Sequence, residues 1–281
     1  MSLGMYIKKY VLAVLKYAAL LLISFISLLP VVSCLITAFK TTEEYNSTNV
    51  MQLPQSWLNF SNFTEAWHKA NMGQAFFNSF LVLVVVLVGS ILFSSMLAYI
   101  LDRFKFPGNG LIRNLFLFAS LIPGIAMQVS VYKIMYSMGL INHLYGYMIV
   151  MMGSDIISVM IFLQFFENLS PALDESAVID GCNYFGVFFK ILLPLLKPAI
   201  MTVLILKGVS TYNEYYMAKL YLQSKDLVTV STSLYTFTGP LGSQYNYICA
   251  GVIITLIPAL IVFLIFQKQI YGGLAAGAVK G

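Results

Sequence analysis

Glu175, Asp180 and Gly181 fall within one seven-residue stretch between two long apolar runs, and Lys207, Asn213 and Glu214 interrupt a third such run. Acids beside a helix-breaking glycine suit recognition of a partner surface. A lysine and a glutamate seven residues apart, two helical turns, share one face of a helix and offer charge and hydrogen bonds to a polar solute or to another helix. Asp155 is a further acid in an apolar stretch, and Tyr212 adds an aromatic hydroxyl beside Asn213. Other chemistries do not fit the pattern. The chain has no G-x-x-x-x-G-K-[ST], so it cannot cradle a nucleotide by that motif. His68 and His143 have no metal-ligand companions. Cys34, Cys182 and Cys249 lie far apart in sequence, with neither metal spacing nor an even count, and read as packing residues.

The elements that must position these groups are set by composition. Of 281 residues 59% are hydrophobic and 10% charged, against ~25% charged in a soluble domain, so lipid is the expected solvent. A net charge of +5 with no clustering of basic residues argues against nucleic-acid binding. A bilayer core takes about 20 apolar helical residues to cross. Runs of that kind occur near 14–39, 76–101, 111–136, 144–166, 195–222 and 246–268, which predicts an all-α membrane protein of about six spans. The first run is too long for the apolar region of a cleavable signal peptide, and no A-x-A-like site follows, so it is expected to be a retained span. Pro30, Pro123 and Pro258 fall inside spans, where neighbouring helices can satisfy the freed carbonyls.

Lys and Arg near span ends favour the cytoplasm. Lys8, Lys9 and Lys16 precede the first span, Arg103, Lys105 and Arg113 flank the second loop, Lys190 and Lys197 follow the fourth span, and Lys268 and Lys280 close the chain. All four segments fall on one side, which places both termini and residues 175–199 in the cytoplasm. The expected organisation is an N-terminal span and extracytoplasmic loop over 1–75, a transmembrane region over 76–268 containing a cytoplasmic loop at 170–198, and a tail at 269–281. Within that loop Ser170-Pro171 reads as a helix start. Asp174 and Glu175 lie near the positive end of the helix dipole, Gly181 suits a left-handed stop, and Asn183 can cap the next helix. The prediction is a short rigid helix of about three turns lying across the membrane face.

ESAVIDGCNYFGVFFKILLP, residues 175–194, closely resembles the EAA loop of permease subunits in binding-protein-dependent ABC importers, whose pattern is E-A-A-x3-G-x9-I-x-L-P. Glu175, Ala177, Gly181, Ile191, Leu193 and Pro194 match, and Ser176 replaces the second alanine. The resemblance extends along nearly the whole chain and is strongest to sugar-importer permeases of the maltose-permease G type. Phe77-Asn78-Ser79, AYILDRFKFPG at 98–108, GLIN at 139–142, Tyr212-Asn213-Glu214-Tyr215 and the terminal GGLAAGAVKG each resemble a family motif, with Ser130 and Tyr212 as departures.

The resemblance implies a type I ABC importer permease fold in a bacterial inner membrane. It also implies partners: a second homologous permease, a dimer of ATPase subunits that carries the ATP and Mg, and an extracytoplasmic sugar-binding protein. No cofactor is implied on this chain, which would not itself be an enzyme. Glu175, Ser176, Ala177, Asp180, Gly181, Ile191 and Pro194 become the ATPase-coupling residues, with Glu175 and Asp180 contacting the ATPase and Pro194 a hinge or start for the fifth span. Lys207, Tyr212, Asn213, Glu214 and Asp155 are candidates to line a substrate path, or equally to make structural contacts such as Lys207 satisfying another helix's carbonyls. An ion-coupled secondary transporter using Glu214 and Asp155 as relay carboxylates is the rival, and a scaffold without transport the third reading. Secondary transporters often show paired broken helices in two inverted halves; none is evident in the sequence, which also leaves the 175–194 pattern unexplained on that view.

Overall fold

A computed structural model describes residues 3–153, 155–239 and 242–278. Lys280, expected among the inside charges, lies outside the described residues, as do Val279 and Gly281 of the terminal motif. In chain order the helices are α1 (Leu3–Ala38), α2 (Thr42–Ser47), α3 (Ser61–Lys69), α4 (Met72–Arg103), α5 (Asn109–Leu121), α6 (Gly124–Ser137), α7 (Leu144–Gly153), α8 (Ile156–Phe166) and α9 (Ala172–Ile179). Then come α10 (Tyr184–Gly186), a π-helical turn (Val187–Leu192), α11 (Leu193–Leu195), α12 (Lys197–Asn213), α13 (Tyr216–Tyr221), α14 (Val230–Ser233) and α15 (Tyr245–Ala278). A two-residue hairpin, β1 (Thr238–Gly239) with β2 (Gly242–Ser243), precedes α15. α15 carries the helix through 269–278, where the sequence suggested a tail.

Among the described residues three helices are long and apolar enough to cross a membrane, at Tyr10–Ala38, Met72–Arg103 and Tyr245–Lys268. The other three expected spans are broken. α5 and α6 meet at 108°, α7 and α8 at 43°, and α12 is bent by 74° from the segment ending at Leu195. Each break has a local cause. Pro123 forces its predecessor Ile122 into an extended conformation (ψ 123°) and ends α5 there. Pro198 lacks the N–H that would bond the Pro194 carbonyl, and its ring crowds that carbonyl. Asp155 turns its carboxylate onto the Ser158 amide and starts a new helix (3.4 Å). Pro30 and Pro258 leave their helices unbroken, as expected.

The chain forms two compact units, Met1–Met72 with Leu234–Leu260, and Gly73–Ser233 with Ile261–Gly281. In the first, Asn246 donates to Thr42 and Asn62 (3.2 and 3.1 Å), and Asn62 donates to the carbonyls of Ala38 and Lys40. Asn59 and Asn62, which head N-x-[ST] triplets, are therefore structural hydrogen-bonders here. Cys34 donates to the Cys249 carbonyl (3.6 Å), so two cysteines far apart in sequence face each other across α1 and α15. Thr41 and Glu44 form a reciprocal capping box on α2. The Thr41 amide, then the Gln55 amide, donate to the Glu44 carboxylate (both 2.8 Å) and lower its pKa from the ordinary glutamate value.

In the second unit Tyr99, Phe162, Phe166, Ala177, Val187, Phe188, Leu192 and Leu196 pack one buried cluster beneath α9, and Val82, Val86, Tyr147, Met151, Ala218 and Tyr221 pack another. Because lipid tails are as apolar as these side chains, close packing and polar ties, rather than transfer from water, hold such clusters within the membrane.

Candidate functional site

α9 is built by its own caps. Ser170 Oγ accepts from the Ala172 amide (3.3 Å), and the Asp174 and Glu175 amides donate to the Pro171 carbonyl. At the other end Gly181 adopts φ +90°. The Cys182 amide bonds the Ala177 carbonyl (2.9 Å) and the Gly181 amide the Val178 carbonyl (3.0 Å), a full Schellman closure. Asn183 then caps α10 by accepting from the Gly186 amide at 2.8 Å. The helix is a little over two turns, shorter than the expected three.

The coupling candidates divide into two sets. Glu175, Asp180 and Pro194 are exposed, and Ser176 is exposed with its hydroxyl donating back to the Ala172 carbonyl. Ala177 is buried and Ile191 packs against the cluster below, so these two support the helix instead of presenting a surface. Beside the acids stands an apolar ridge that the seven positions did not include: Ile179 is 84% exposed, with Phe185 at 66% and Tyr184 at 58%.

Arg103 reads in the sequence as an inside charge and as part of AYILDRFKFPG, and in the structure its side chain is only 10% exposed. Nε donates to Asp174 Oδ2 (2.9 Å), Nη2 to the Leu169 carbonyl (2.8 Å), and Nη1 to the Asp102 carboxylate and the Phe166 carbonyl. Its Cζ also lies 5.9 Å from the Phe166 ring centroid. The end of α4 thus grips both α9 and the turn that leads into it. The R-F pair inside AYILDRFKFPG was the available signal, yet nothing local marks an arginine as buried.

The path candidates are arranged differently from expectation. Lys207 and Glu214 do not share one helical face, because α12 ends at Asn213 and Glu214 is its C-cap with ψ 108°. Glu214 Oε1 accepts from the Met217 amide (2.8 Å) and its carbonyl accepts from Ser231 Oγ (2.6 Å); this local competition for backbone groups stops the helix. Lys207 Nζ donates to the Met151 carbonyl (2.7 Å) and lies 3.7 Å from the Asp155 carboxylate, the lysine side chain being 12% exposed and the aspartate buried. Asn213 is exposed and bonds back to the Val209 carbonyl, while Tyr212 is half-buried.

Three further motif residues tie down the segment after α13. Asn142, at φ +61°, accepts from the Gln223 and Ser224 amides and donates to Ser224 Oγ, while its amide donates to the Tyr221 carbonyl. Asn78 Nδ2 donates to the Asp226 and Val228 carbonyls (2.8 and 2.9 Å), and Ser79 Oγ accepts from the Val230 amide (2.8 Å). No group of three or more His, Cys, Asp or Glu is placed to hold a metal ion among the described residues.

The fold is that of an ABC importer permease. A chain in the crystal structure of a bacterial ABC transporter that imports the acidic polysaccharide alginate superposes with a TM-score of 0.81, at 20% identity, over 93% of this chain and 97% of that one. The protein belongs to the family of binding-protein-dependent transport system inner membrane components, which matches residues 90–271. It is similar to the arabinooligosaccharides transport system permease protein AraQ of Halalkalibacterium halodurans, with 31% identity over 263 residues, 92% of this chain and 93% of that protein. It is also similar to the diacetylchitobiose uptake system permease protein NgcG of Streptomyces coelicolor, with 31% identity over 271 residues, 95% and 89% of the two chains. A third relative is the melibiose/raffinose/stachyose import permease protein MelC of Bacillus subtilis, 29% identical over 90% of this chain and 91% of that protein. Family membership bears out the resemblance drawn from residues 175–194.

Proposed function

We propose that this chain is a permease subunit of an ATP-driven carbohydrate importer, multi-pass in a bacterial inner membrane with both termini cytoplasmic, and that α9 is the element on which a separate ATPase dimer acts. The observation that carries the proposal is the form of α9: closed at both ends by its own hydrogen bonds, with Ile179, Tyr184 and Phe185 exposed beside Glu175 and Asp180. On a water-facing surface such a ridge is poorly satisfied alone, and aromatic and aliphatic anchors of this kind dominate protein interfaces. ATP and Mg belong to the partner chain, and a second homologous permease and an extracytoplasmic binding protein complete the assembly.

The relatives named for arabinooligosaccharides, diacetylchitobiose and raffinose-type sugars favour a di- or oligosaccharide as solute. Tyr212, Asn213 and Glu214, at the break ending α12, are proposed to meet it, hydrogen-bonding groups and an aromatic face being what a sugar presents a need for. Lys207 and Asp155 are proposed to hold that break in place.

Ion-coupled transport is the weaker reading. Three spans are bent, which alone does not identify such a transporter, and family membership disfavours it. Membrane vesicles containing the permeases, ATPase and binding protein test the point. Uptake of a labelled oligosaccharide should require internal ATP and survive collapse of the proton gradient, and the opposite dependence would refute the proposal.

A further inference from the structure

Two motifs that the exposed face of α9 does not use lie at opposite ends of one unbroken helix. Asn78 and Arg103 are 25 residues apart in α4, about 37 Å at 1.5 Å per residue, more than a bilayer core of about 30 Å. At one end Arg103 bonds Asp174 of α9 and the Leu169 and Phe166 carbonyls before it. At the other, Asn78 and Ser79 hold the backbone of Asp226, Val228 and Val230, and Ser231 next to them bonds the Glu214 carbonyl where α12 stops.

The covalent route from α9 to α12 is poorly suited to carrying force. It passes through Gly181 at φ +90°, a π-helical turn and the 74° bend at Leu196, joints at which the regular backbone ladder is interrupted. α4 has no such joint. We propose that α4 is the rod that conveys displacement of α9 to the far face: Arg103 makes α9 and the end of α4 one body, and Asn78 with Ser79 passes the motion to residues 226–230 and so to the Glu214 break. The proposal rests on the coupling role proposed for α9. Arg103, Asn78 and Ser79 are then positioning residues. A planar guanidinium is suited to the first task, because it reaches a carboxylate and two carbonyls at once, which an ammonium on a flexible stem does not.

The test uses the whole importer in lipid nanodiscs, with Arg103→Ala, Arg103→Lys, Asn78→Leu and the Arg103→Ala/Asn78→Leu double variant. ATPase co-purification, basal ATP hydrolysis, thermal midpoint and stimulation of hydrolysis by sugar-loaded binding protein are measured. Arg103→Ala and Asn78→Leu should each retain the ATPase and the basal rate while losing stimulation by about tenfold or more, a normal allosteric coupling range. Arg103→Lys should be intermediate, and the double variant no worse than either single one, since one broken rod cannot be broken twice. Full stimulation in Asn78→Leu, or losses that multiply in the double variant, would overturn the proposal while leaving α9 as the docking helix. If Arg103→Ala does not assemble, Asn78→Leu and Arg103→Lys decide by the same criteria. A wild-type importer that retains no ATPase would instead refute the coupling role, and the rod with it.

Discussion

α9 and the Asp155–Lys207 pair both place charge in an apolar chain, and they are held in opposite ways. The shape of α9 is made by neighbours: Ser170 and Gly181 close it with bonds spanning five residues or fewer. The ion pair joins residues 52 apart and exists only because α8 and α12 lie against each other. A locally closed helix tolerates work at its surface without losing its form, whereas a buried pair is stable only while both partners stay. The difference predicts that damage to α9 appears first in transport and damage to the pair first in stability.

The largest effect is expected from Lys207→Ala. Asp155 Oδ2 has no hydrogen-bond partner among the described residues and relies on the lysine charge. Removing one member of a buried pair costs about 3–5 kcal/mol, while replacing both with apolar groups is often near neutral. Thermal unfolding in detergent should show a marked loss for Lys207→Ala and substantial recovery for Lys207→Met with Asp155→Leu. Equal losses in the single and double variants would break the comparison by removing the pair as a structural unit.

Gly181→Val is next. A β-branched residue at φ +90° carries strain of about 1–2 kcal/mol and opens the Schellman closure. The variant should insert at normal levels while ATP-dependent uptake falls to background, and wild-type rates would count against α9 as the coupling element. Asn183→Ala, which removes the cap of α10, should cost about 1 kcal/mol. Its partial uptake should exceed that of Gly181→Val.

The smallest stability effect is expected from Ile179→Asp, within about 0.5 kcal/mol for an exposed site. Retention of the ATPase during purification should nevertheless drop, which separates surface from scaffold. Away from both regions, Glu44 supplies a pH dependence. Its pKa is lowered by the Thr41 and Gln55 amides, so the stability it contributes is present above the ordinary glutamate value and lost as pH falls through the lowered one. Hydrogen exchange over residues 41–55 should accelerate in that acidic window, and Glu44→Gln should abolish the dependence.

The six apolar runs, the caps of α9 and the left-handed stop at Gly181 were all legible because each depends on residue type within one or two helical turns. Composition required lipid, since 59% hydrophobic residues exceed what a water-soluble core can hide. Three expected spans are bent: Pro123 and Pro198 are visible in the sequence, whereas Asp155 breaks its span by capturing the Ser158 amide, and Glu214 ends α12 by capturing the Met217 amide, where a helical pattern assigns those amides elsewhere. Periodicity reports which face of a helix is apolar, and says nothing of where the helix stops when a side chain competes for its backbone. Only the tertiary structure could turn Arg103 from a surface charge into a half-buried clamp, bring Lys207 to Asp155, or set Asn78 and Asn142 against one distant segment. Such contacts join residues 52 to 150 apart, and their energy depends on distance and burial, which the order of residues does not contain.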